Sequence, residues 1–69
     1  MERLPIAPVA RILTNNGARR ASKDAKVALA DKLTEIGESI AEESIKIAEH
    51  SGRKTIQASD IQLALKLRF

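Results

Sequence analysis

The stretch Lys23–His50, KDAKVALADKLTEIGESIAEESIKIAEH, decides how this chain is read. No proline interrupts it, and Leu29, Leu33, Ile36, Ile40 and Ile47 recur at spacings of four, three, four and seven, the period of one helical face. A second row, Ala30, Ala41, Ile45 and Ala48, widens that face, and Gly37 near the midpoint leaves room for another helix to come close. Ser22 is placed to cap the amino end, and Asp24 puts a negative charge in the first turn, where the helix dipole favours it. Ser51-Gly52 stops the run. One helix over 23–50 would reach roughly 42 Å at ~1.5 Å per residue, more than the width expected of so small a globule. Such a helix cannot cover its own apolar face.

On the amino side, Pro5 suits the start of a helix, and Ile6, Val9, Ile12 and Leu13 follow at helical spacing. Asn15-Asn16-Gly17 is a stop signal, so the first helix is expected over about 6–16. Ala18 to Ala21 then form a loop. On the carboxyl side, Arg53 to Gln57 read as a short loop whose β-branched pair Thr55-Ile56 could pair briefly as a strand. A third helix is expected from about 58, with Ile61, Ala64 and Leu65 on one face and Asp60, Leu63 and Leu67 on another. One of these faces can meet the core and the other a partner. The expected architecture is therefore all-α, with a short, a long and a short helix in one domain over 1–69 and no internal repeat.

Composition narrows the function. A chain of 69 residues buries only about 60% of its unfolded surface, so its own core is marginal. Without cysteine there is no disulfide or thiolate site, and a single histidine makes no metal cluster, so association between chains is the remaining staple. Neither a membrane span nor a cleavable signal peptide is legible, and an intracellular location is the expectation. An enzyme is disfavoured as well, since cysteine, tyrosine and tryptophan are absent and no glycine-rich phosphate loop occurs. Charge comes in blocks. Residues 1–34 carry seven Lys/Arg against three Asp/Glu, residues 35–49 one against five, and residues 50–69 four against one. Two basic regions around an acidic one suit a polyanion if folding gathers the basic blocks. A helix-turn-helix repressor fits poorly, because it needs two short helices around a tight turn.

Two segments carry a more specific signal: Leu4-Pro5-Ile6-Ala7-Pro8, and His50-Ser51-Gly52-Arg53-Lys54-Thr55-Ile56-Gln57-Ala58-Ser59-Asp60-Ile61. With them, almost the whole chain resembles the archaeal histones, the tailless relatives of the eukaryotic core histones. The resemblance implies a histone fold that forms an antiparallel handshake dimer, with each first loop lying beside the partner's second loop. Leu29, Leu33, Ile36, Gly37 and Ile40 would form the dimer core, and the acidic stretch would face solvent. The implied partners are double-stranded DNA and a second histone, either the same chain or a paralogue, in a chromosome-associated, cytoplasmic setting. No cofactor, metal, membrane or small-molecule substrate is expected.

The resemblance also implies roles for particular residues. Arg20 stands at the position where the family's loop arginine enters the minor groove, Arg11 matches a DNA-facing arginine of the first helix, and Lys54 and Thr55 match phosphate contacts of the second loop. Arg19 and Lys23 are auxiliary charges beside that site, and Lys26 ranks below them. Arg53 and Asp60 match a salt bridge that braces the second loop. Ile47, His50, Asp60 and Leu63 match a surface where two dimers join, with His50 of one dimer bonded to Asp60 of the other, and a histidine there makes assembly sensitive to pH. Glu49 stands where the family commonly has a basic residue. The expected activity is sequence-tolerant binding, wrapping and compaction of duplex DNA. The alternative is a histone-fold interaction module of a transcription complex.

Overall fold

The computed structural model describes residues 2–68. They form three helices: α1 (Ile6–Asn15), α2 (Lys23–His50) and α3 (Ala58–Arg68). Among the described residues there is no strand. The segment of Thr55 and Ile56 is bend and coil, since the chain brings no extended neighbour to take its hydrogen bonds.

Both stop signals work through the same geometry. Gly17 takes φ +102° and Gly52 φ +71°, the left-handed region that a side chain disfavours. The N–H of Ala18 then reaches back to the Leu13 carbonyl (3.1 Å) and that of Gly17 to the Thr14 carbonyl (3.0 Å). The second end repeats this, with Arg53 bonded to Ala48 (3.0 Å) and Gly52 to Glu49 (2.9 Å). These paired bonds satisfy the carbonyls that a helix leaves open at its end. They also finish α1 one residue earlier than its sequence suggests, because Asn16 is the cap rather than the last helical residue. At the start of α2, Ser22 Oγ accepts the N–H of Ala25 at 3.1 Å, which makes it the cap.

The chain forms two compact units that meet within α2, one running up to Glu35 and the other from Ile36. In the first, Val9 of α1 and Ala30 and Thr34 of α2 are buried. Thr34 Oγ1 accepts the Leu4 N–H at 2.8 Å and donates to the Ala30 carbonyl at 2.7 Å. Arg3 pairs with Asp31 at 2.9 Å, so the segment before α1 is held to α2 twice. In the second unit, Ser44 and Ala48 of α2 and Asp60 and Ala64 of α3 are buried. Ser44 Oγ donates to the Ile40 carbonyl at 2.7 Å, which satisfies its hydroxyl without a partner from another helix.

The buried side chains are small, and the large ones are open. Ile12 is 47% exposed, Ile45 46%, Leu63 45% and Leu67 61%. Leu29, Leu33, Ile36, Ile40 and Ile47 are only half-buried, and Gly37 is exposed. A self-sufficient core shows the reverse order, with its largest aliphatics inside. Among the described residues, no helix is long and apolar enough to cross a membrane.

Candidate nucleic-acid interface

The end of α1, the first loop and the first turn of α2 surround a hollow of about 350 Å³. Arg11 and Thr14 reach it from α1, three residues apart and so on one helical face. Arg19 and Arg20 line it from the loop, and Lys26 from α2. Ala10, Leu13, Ala18 and Ala21 complete the wall with apolar side chains. Among the described residues, none of these four cations has a carboxylate within ion-pair distance. Lys23 is exposed and does not line the hollow, whereas Lys26 does. The reason is helix geometry, which the loop position alone does not reveal.

The second loop is built around one ion pair. Arg53 Nη2 donates to Asp60 Oδ1 at 2.7 Å and Nη1 to Oδ2 at 2.8 Å, a two-point fork. Nη1 also donates to the Thr55 carbonyl at 3.2 Å, which ties the guanidinium to the loop backbone. Asp60 Oδ2 further accepts the N–H of Gln57 at 2.8 Å, so the third residue of α3 reaches back to cap its own helix. The hydrogen bonds from Arg53, then that from Gln57, hold the Asp60 carboxyl at about 2, against the opposing effect of burial. Its hydrogen bonds to Asp60, and then the charge of that carboxylate, raise the Arg53 guanidinium above its ordinary value against the opposing effect of burial.

Arg53 therefore serves the protein's own fold, while its neighbours remain free. Lys54 and Thr55 are exposed. Lys54 stands at a hollow of about 270 Å³ whose other walls are Ile45, Ala48, Glu49, Arg53 and Ile56. Among the described residues, neither side chain of the Lys54-Thr55 pair makes a hydrogen bond or an ion pair. A lysine and a hydroxyl left open beside a braced loop can serve as phosphate donors.

The residues expected to join dimers are distributed unevenly. His50 is exposed at the carboxyl end of α2, in a shallow depression with Lys46 and Glu49. Leu63 is exposed on α3 and lines a separate hollow with Ser59, Gln62, Leu65 and Lys66. Ile47 is half-buried. Asp60 differs from all three, because its side chain is 2% exposed and both its oxygens are already bonded within the chain. A second dimer's histidine would have to reach an oxygen that is nearly closed off. Among the described residues, no group of three or more His, Cys, Asp or Glu side chains could hold a metal ion.

Comparison with known proteins places these features in a family. The family model described as histone-like transcription factor (CBF/NF-Y) and archaeal histone matches residues 2–65. The chain belongs to this family. It is 44% identical over 66 residues to an archaeal histone of Thermococcus zilligii, HAN1, spanning 96% of this chain and 98% of that one. It is 42% identical, over the same shares, to the probable archaeal histone 3 of Methanocaldococcus jannaschii. The short, long and short helices are thus those of a histone fold.

Sequence reasoning missed two contributors and ranked a third last. Thr34 anchors the segment before α1, Thr14 joins Arg11 at the hollow, and Lys26, the lowest-ranked of the expected cations, lines it while Lys23 does not. The three-residue spacing of Arg11 and Thr14 was readable. The others depend on how α2 is rotated against its neighbours.

Proposed function

We propose that the protein is a DNA-binding histone, one domain over 1–69, that dimerises by handshake and wraps duplex DNA around successive dimers. The observation that carries the reading is the set of four unpartnered cations around the first-loop hollow of a histone-fold chain. Binding is driven by phosphate contacts and release of counterions, so it tolerates sequence and weakens steeply with salt. Arg20 and Arg11 act from the first loop and α1, with Arg19 beside them, and Lys54 and Thr55 act from the second loop. The Arg53–Asp60 pair positions that loop without touching DNA. Leu29, Leu33, Ile36, Gly37 and Ile40 form the dimer core, which supplies the cover that the half-buried seam lacks in one chain. Ile47, His50 and Leu63 join dimers on DNA, and Asp60 shapes that surface chiefly through Arg53. The protein works without a catalytic step, in association with the chromosome.

A salt-series mobility shift on random-sequence duplex DNA, followed by nuclease digestion, tests this. Sequence-tolerant binding with a steep salt slope and protected lengths in regular steps is expected. Failure to bind at low salt would remove the chromatin reading. It would favour an interaction module of a transcription complex, which the family's description also covers.

A further inference from the structure

We infer that Lys26, rather than Lys23, is the fourth phosphate-binding cation of the first-loop hollow, completing a cradle with Arg11, Arg19 and Arg20. This assignment rests on the DNA-binding reading above and goes beyond it, because the two lysines lie in the same first turns of α2 and only the structure separates them.

Three residues along a helix amount to roughly 60° of rotation short of a full turn and about 4.5 Å of rise. That displacement carries Lys26 to the wall of the hollow and leaves Lys23 outside. Burial agrees, since Lys26 is half-buried and Lys23 exposed. The wall also includes Leu13, Ala18 and Ala21, and a lysine stem can lie along such an apolar wall with its ammonium in water.

Charge supplies an independent argument. Four cations share one concavity, and among the described residues none is paired with a carboxylate. Lys26 is also close to the positive end of α2, where the helix dipole disfavours a cation. The chain accepts repulsion on two counts where a carboxylate or a neutral residue would relieve it. Elsewhere Arg3, Lys32, Arg53 and Arg68 stand beside an acid, while Lys23, Lys46, Lys54 and Lys66 are unpaired among the described residues but do not share a concavity with other unpaired cations. An anion from outside resolves the conflict. A backbone phosphate entering there meets guanidinium groups from α1 and the first loop and a point charge from α2.

The test compares salt slopes of the full-length protein on random-sequence duplex DNA for Lys26→Gln, Lys23→Gln and Arg20→Ala. Glutamine keeps helix propensity and length while removing charge. Circular dichroism is used to confirm that each variant remains folded. Lys26→Gln is expected to flatten the slope of log K against log salt by about one unit for each copy on DNA. Lys23→Gln should flatten it by less than about half as much. Equal slopes for the two lysine variants, with Arg20→Ala still weakening binding, would overturn the assignment alone. A slope that Arg20→Ala also leaves untouched would overturn the first-loop interface and this inference with it.

Discussion

At Gly52 the backbone enters the left-handed region at φ +71°, and a Cβ built there meets nothing within 4 Å. The cost of a side chain is therefore conformational and not steric, and Gly52→Ala should destabilise the protein by about 1 kcal/mol. Urea unfolding at fixed protein concentration measures it, and an unchanged midpoint would refute the role assigned to this turn. Arg20 poses the opposite case. It is exposed at the hollow, and among the described residues it bonds to nothing in its own chain. Arg20→Ala should leave the unfolding midpoint in place while weakening DNA binding about tenfold or more, the worth of a charge-assisted hydrogen bond. Loss of folding in this variant would contradict that separation of stability from binding.

At the scale of elements, the second loop and α3 are joined through Asp60. Its carboxyl is held at about 2 in the folded chain, below the ordinary value of 3.8. A depressed carboxyl contributes stability that is fully present above its unfolded value and is lost as pH falls toward the folded one. The contribution of the Arg53 brace should thus fade between about pH 4 and pH 2. Asp60→Asn should remove that part of the acid profile and lower stability at neutral pH, which thermal melts across this range can follow. An unaltered acid profile would show that the pair bears little weight. Much of this element was legible, since the family resemblance implied Arg53 and Asp60 as a pair, and Gly17, Ser22 and Gly52 mark helix ends through local backbone chemistry. What was not legible depends on rotation between helices. Nothing in the residue types says that Thr34 takes the Leu4 N–H or that Lys26 faces α1 and Lys23 does not. Asp60 was readable as acidic and near the family's dimer contact, but its burial under Arg53 follows only from the folded loop.

At the scale of the whole molecule, stability and association should be one quantity. The side chains that one chain buries are small, while Leu33 and Ile36 stay half-exposed and larger aliphatics lie open. A handshake that covers them makes the thermal midpoint rise with protein concentration, because the partner binds only the folded chain. Tenfold more protein should raise it by roughly 3–5 °C, as expected of about 1.4 kcal/mol applied to a unit of two such chains unfolding together. Leu33→Asp places a charge in the middle of the seam and should leave the chain unfolded at every concentration, whereas the same change at Leu67, 61% exposed, should shift stability by under about 0.5 kcal/mol. Gly37→Ala gives the sharper test, since its sign depends on whether a partner is there. In one chain an added Cβ meets nothing within 4 Å, so a lone helix should gain about 1 kcal/mol from alanine. If the two long helices cross at Gly37, the same methyl group strikes the partner, and the dimer should lose stability despite the better helix former. A dimer that becomes more stable on Gly37→Ala has its crossing elsewhere, and the seam built from Leu33, Ile36 and Ile40 would have to be redrawn around that point.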